Sequence, residues 1–166
     1  LYVRAARRMV GERVFTQNTP SQQRQQGGIG NLSVGVGGYN FDAHNAERMA
    51  CRNTTVCHAA TTSFGDASFV WNEGDVETAP GLYQIPLWIM FPKPSDDAFN
   101  LLVVAAPSAS HIGMSTLRME PQFMMIGHAA GTIASVSIRQ NASSVQSVDI
   151  DELHRLLLLQ GMVLDF

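Results

Sequence analysis

The chain has 166 residues, 45% of them hydrophobic and 15% charged, with a net charge of −3. That length supports one domain with a real core. The balance leaves no electrostatic case for nucleic acid or an anionic membrane surface as partner. Two cysteines, Cys51 and Cys57, do not make a disulfide scaffold or a zinc site. They either close one small loop in an oxidising compartment or stay reduced. Asn-x-Ser/Thr sequons at Asn31, Asn53 and Asn141 tilt the reading, with the cysteine pair, toward a secreted or extracytoplasmic protein.

In chain order, residues 1–15 mix charged and apolar residues, with Tyr2, Ala6, Met9, Val10 and Arg13 drifting along one side. The pattern predicts a helix, and without an apolar run it is no signal peptide. A chain that opens on Leu1 inside a helix is expected to be a piece of a longer polypeptide. Residues 16–30, rich in Gln and Gly, predict a surface loop. Residues 32–41 alternate small and apolar side chains and predict a strand, with Asp42, His44 and Asn45 clustered just beyond it. Residues 50–63 show no clear period. Residues 67–78 predict two short strands about a turn at 72–75, and residues 82–92 a strand that Pro86 confines to an edge or a bulge.

Residues 100–106 form a short continuous apolar run, the mark of a strand buried on both faces, typical of parallel sheets. A polar loop over 107–118 follows, then a helix from about Pro121 to Arg139, with proline suited to its first turn. Its uncharged stretch, residues 123–138, is shorter than the roughly 20 residues of a membrane span and carries His128 and Thr132. A buried helix is expected, with Gly127 and Gly131 letting it lie close against a sheet. A closing amphipathic helix runs from Asp149 or Asp151 as cap to Gly161 as stop.

The chemistry is expected where the run 100–106 meets the helix at Pro121, because a helix N-terminus presents free amides and a positive dipole end. His111 is a candidate proton donor or acceptor, or a loop histidine bonded to backbone. His44 with Asp42 and Asn45 is a candidate substrate pocket, or ordinary turn chemistry. Arg118 either anchors an anionic group or pairs with Glu120. Met114, Met119, Met124 and Met125 are expected to fill core. His58, His128 and His154 have no metal-ligand spacing with one another or with the cysteines. Ser110 and His111 are sequence neighbours without a nucleophile elbow, which argues against a serine hydrolase.

Four pieces of this region resemble the closing segment of the FAD-dependent oxidoreductase family. They are Asn100-Leu101-Leu102-Val103-Val104, Ser108-Ala109-Ser110-His111, Arg118-Met119-Glu120-Pro121 and Gly127-His128-Ala129-Ala130-Gly131. The stretch Gly38 to Asn45 and, more weakly, Arg8 to Gly11 extend the resemblance over the chain. It implies an α/β fold with a β-rich portion, of α+β character: the C-terminal part of an FAD-binding two-domain fold. Residues 1–99 would belong to a substrate domain, 100–140 would give the last strand and flavin-facing helix of the FAD domain, and 141–166 a closing helix.

The resemblance also implies site roles. Arg118, Met119, Glu120 and Pro121 would meet the FAD, and Ser110 and His111 would lie near the flavin ring or the substrate. Tyr39, Asp42 and Asn45 would contact a small organic substrate, some members of the family being linked to carbohydrate breakdown. His111 or His44 would assist proton removal as hydride passes to the flavin. The phosphate-binding G-x-G-x-x-G turn is absent, for neither Gly28 to Gly30 nor Gly35 to Asn40 has the required spacing. Most of the FAD site is therefore expected upstream in the same polypeptide, and this stretch alone is expected to be inactive. The alternative is a stand-alone, non-enzymatic α+β binding or structural module.

Overall fold

A computed structural model describes residues 7–44, 47–51 and 69–166. Asn45, Asn53, Cys57 and His58, and the side chain of Cys51, lie outside that description. Among the described residues there are four α-helices, α1 (Thr19–Gln26), α2 (His111–Leu117), α3 (Glu120–Arg139) and α4 (Ile150–Leu159). The strands are β1 (Ser33–Gly37), β2 (Phe41–Ala43), β3 (Glu47–Cys51), β4 (Phe69–Glu73), β5 (Val76–Thr78) and β6 (Tyr83–Pro86). They pair antiparallel as β1 with β6, β2 with β5 and β3 with β4. The α+β character stands, and no parallel ladder joins strands among the described residues.

The expected strands over 67–78 are β4 and β5, but each pairs elsewhere: Phe69 faces Cys51, and Val76 faces Ala43. The strand expected over 82–92 stops at Pro86 and continues as a 3-10 turn, Leu87–Met90. Opposite it, β1 carries one extra residue between Ser33 and Val36, the bulge that Pro86 foretold.

The helix expected over 1–15 is not present in residues 7–15, which run extended. Their backbone groups bond to a distant segment instead. The Met9 amide donates to Ala106 O at 2.9 Å and the Phe15 amide to Ser108 O at 3.0 Å, and Phe15 O accepts from the Ser110 amide at 2.8 Å. Ser108 Oγ donates to Arg13 O at 2.7 Å and accepts from the Gly11 amide at 2.9 Å. Extension carries Phe15 fully into the core, its ring 5.3 Å from that of Tyr83. Burying an aromatic outweighs a weak helical preference.

The loop expected over 16–30 contains α1. Pro20 sits in its first turn and Gly27, at φ 75°, ends it. No apolar stripe announces this helix, because its buried anchor is polar. Gln23 donates to Gln84 O at 2.9 Å and accepts from the Gln84 amide at 3.0 Å, so its amide acts as a short extra strand beside β6.

Residues 100–106 form no strand. Two backbone bonds hold them, Val103 N to Met90 O and Met9 N to Ala106 O, both at 2.9 Å, and Leu101 is 47% exposed. The apolar run has no ladder partner among the described residues, so Leu102 and Val104 only lean on the core. The loop expected over 107–118 holds α2, capped by Ser110 Oγ, which accepts from the Gly113 amide at 2.9 Å.

Helix α3 forms as read, with Pro121 in its first turn. Ile126, Ala129, Ile133 and Val136 are buried against β1 and α4 at helical spacing. Gly127 does lie near Val104, but Gly131 has no neighbour on its Cβ side and opens to the surface. Met114 is core and Met125 packs against it, whereas Met124 is 73% exposed. Helix α4 is capped by Asp149 Oδ1, which accepts from the Asp151 and Glu152 amides. It ends at Gly161, φ 82°, where the Gly161 and Met162 amides close back on Leu158 and Leu157. Among the described residues no helix is long and apolar enough to cross a membrane.

Candidate functional site

The site candidates gather around α2 and the start of α3, and two separate polar clusters hang from that junction. The first is sealed. Tyr83, fully buried in β6, accepts from Gln122 Nε2 at 2.9 Å and lies 3.0 Å from Thr116 Oγ1. Thr116 in turn donates to Tyr39 O, so the Tyr83 hydroxyl donates to Thr116. Burial pushes the Tyr83 hydroxyl up to about 12; its bonds to Thr116 and Gln122 pull the other way and lose. Gly37 allows this packing, since a Cβ there would sit 2.6 Å from Tyr83 Cζ.

The second cluster is half open. Arg118, which ends α2, has a side chain only 11% exposed. Its Nη2 donates to Asp42 O at 2.7 Å and lies 3.5 Å from Asp42 Oδ2. The other Asp42 oxygen, Oδ1, is 4.0 Å from His44 Nδ1, and the His44 side chain is 83% exposed. The Asp42 amide donates to Ser115 Oγ at 3.0 Å, which fastens β2 to α2. A guanidinium at the carboxyl end of α2 also meets that end's negative dipole favourably. Arg118 therefore pairs with Asp42; the pairing with Glu120 considered from sequence does not form, because Glu120 projects outward in the first turn of α3.

The structure thus brings Arg118, Asp42 and His44 together, with the Tyr39 backbone alongside and its ring 45% exposed. It keeps His111 apart. His111 opens α2 and Arg118 closes it, a separation of roughly 10 Å along the axis at 1.5 Å per residue. His111 is exposed, and the Ser110 hydroxyl is engaged in capping. Met119 caps α3, with Glu120 and Pro121 exposed in its first turn. Two buried polar atoms near this end of α3 have no partner, Arg118 Nε, a donor, and Gln122 Oε1, an acceptor. Buried orphans of this kind call for a ligand or a water.

Sequence reasoning passed over Tyr83, Ser115, Thr116 and Gln122. The one available signal was a tyrosine inside an apolar run, whose hydroxyl needs a partner once buried. Surface grooves among the described residues lie elsewhere. One, of about 410 Å³, runs between α3 and α4 past His128, Thr132 and Gln160; another is flanked by Phe99 and Ser143. Among the described residues no three His, Cys, Asp or Glu side chains group to hold a metal ion.

In this α+β domain Arg118 thus lies just ahead of the 20-residue α3 and against Asp42, which in turn neighbours His44. The chain belongs to the FAD dependent oxidoreductase family, whose family model matches residues 1–157. It is accordingly a flavin-dependent oxidoreductase with FAD as the family's cofactor. No curated protein and no solved structure matches it.

Proposed function

We propose that this chain contributes the flavin-facing helix terminus and the proton-handling group of an enzyme that takes hydride from a small organic substrate. The observation that carries the reading is the joining of segments 76 residues apart in sequence: Arg118, at the mouth of α3, is bonded to Asp42, which neighbours His44. FAD, when bound, supplies the hydride acceptor. The remainder of its site, including a phosphate-binding turn, is assigned to the same polypeptide upstream.

The residues present fit such a group. The amides of Met119, Glu120 and Gln122 at the α3 terminus favour the electron-rich pyrimidine edge of a flavin. That edge also offers both an acceptor and a donor, which the orphaned Arg118 Nε and Gln122 Oε1 each lack. Pro121 takes the helical position where no amide is needed.

His44 is the better proton acceptor of the two histidines. Asp42 stands by its Nδ1, so Nε2 is left to face a substrate hydroxyl. Arg118 holds Asp42 in place, and Tyr39 and Asp42 border the substrate. His111, at the far end of α2, is assigned a secondary contact. The substrate class is a small hydroxylated molecule such as a carbohydrate derivative.

The test is the visible spectrum of the purified full-length protein, followed by anaerobic flavin bleaching with candidate alcohols and sugars. Bound FAD bleached by substrate, and slowed bleaching in His44→Gln, are expected. A full-length protein that carries no flavin and takes up none would sink the reading and leave the stand-alone binding module.

A further inference from the structure

We propose that Asn141 is an acceptor for N-linked glycosylation and that the first sugar of the glycan lies along the groove beside Phe99. Asn141-Ala142-Ser143 is one of the sequons in the chain. Asn141 follows α3 at φ 50° and is exposed, with no hydrogen bond from its side chain among the described residues. Its left-handed backbone accounts for an asparagine at this turn. It does not account for a hydroxyl two residues on, nor for that hydroxyl's exposure. Ser143 is exposed, and its side chain's one hydrogen-bond contact among the described residues is a long 3.4 Å approach to Ser147 Oγ.

The sequon at Asn31 contrasts on both counts. Asn31 Nδ2 already donates to Asp151 Oδ1 at 2.6 Å, and Ser33 is 1% exposed. A glycan there would displace a bond of the folded chain, whereas one on Asn141 displaces none.

The groove supplies the second observation. It measures about 470 Å³ and is lined by Phe99, Ser143, Ser144, Gln146 and Ser147. Ser143 is therefore both the sequon's hydroxyl and a wall of the groove. Phe99, 53% exposed, offers an apolar ring face against which a sugar's C–H face can lie, and the serine hydroxyls meet sugar hydroxyls. In the transfer itself, Nδ2 of Asn141 takes C1 of the sugar from a lipid-pyrophosphate-linked oligosaccharide. The C1–phosphate bond breaks, the C1–N bond forms, the amide loses a proton and the lipid pyrophosphate leaves; nothing is oxidised or reduced.

The experiment expresses the full-length protein behind a secretory leader in a eukaryotic host and maps sugar-bearing asparagines by enzymatic release in heavy-oxygen water and peptide mass spectrometry. Label at Asn141 is expected, with complete loss in Asn141→Gln and in Ser143→Ala and retention in Ser143→Thr. An unlabelled Asn141 in the translocated protein, whatever happens at the other sequons, overturns the site. Removing the sugar from the folded protein is expected to lower Tm more in the wild type than in Phe99→Ser; an equal change in both overturns the groove contact.

Discussion

Two sets of polar side chains hang from α2 and meet opposite fates. Tyr83, Thr116 and Gln122 are sealed under β1, each buried to within 4% of completeness. Arg118, Asp42 and His44 start from the same junction but lead outward, from an arginine 11% exposed to an imidazole 83% exposed. Tyr83 and Thr116 are bonded only within the fold and hold it together, and in the sealed set Gln122 Oε1 alone is left without a partner. The outward set grades from rigid to accessible, which is what a reacting group needs from its supports. On the proposed function, hydrogen bonds of similar length carry stability in one case and chemistry in the other.

The widest break between the two should come from His44→Gln. On the proposed function, flavin reduction falls by about 10²-fold or more while Tm stays that of the wild type, since His44 is exposed. Measured anaerobic reduction rates beside melting curves read both; a Tm loss with an unchanged rate would reverse the assignment.

Next in size is the high-pH limb set by Tyr83. Its folded value is raised to about 12 from 10, so the stability it contributes is fully present below pH 10. That stability is lost as pH rises from 10 through 12, because the unfolded chain releases the proton first. The loss approaches about 3 kcal/mol for a shift of this size. Urea midpoints at pH 9 and pH 11.5 should separate strongly in the wild type and much less in Tyr83→Phe.

At neutral pH, Tyr83→Phe leaves Gln122 Nε2 without an acceptor and Thr116 without a donor. A loss of about 1–3 kcal/mol by denaturant titration is expected, with flavin reduction nearly unchanged. The smallest effect belongs to a pair outside both sets. Arg139 and Glu152 meet at 3.0 Å across α3 and α4, with the arginine side chain 53% exposed. Arg139→Ala should change stability by less than about 1 kcal/mol, and less still at high salt.

The elements that were legible in advance carry their own signals. Helix α3 shows an apolar stripe with Pro121 in its first turn, and α4 shows Asp149 before it and Gly161 after it. Both ends of α4 are satisfied within a few residues of chain. The elements misread take their partners from far away. Residues 7–15 are extended because Ser108 stands beside them, α1 is fixed by Gln84 some 60 residues on, and 100–106 lacks a ladder because no described strand pairs with it. The site divides the same way. The motif order from Gly38 to Gly131 identified the family, and Asp42, His44 and Arg118 were all named from sequence. The buried companions Thr116 and Gln122 were not, since a threonine and a glutamine carry no local mark of burial.

By itself, then, the sequence determined the helices whose caps and apolar faces are local, the family, and which titratable residues were worth watching. Only the tertiary structure decided that Arg118 faces Asp42 rather than Glu120, that His44 and not His111 joins that pair, and that Tyr83 is sealed. The physical reason is that local pattern reports a residue's own turn of helix or strand. Desolvation and charge pairing depend on whatever the rest of the chain lays against it.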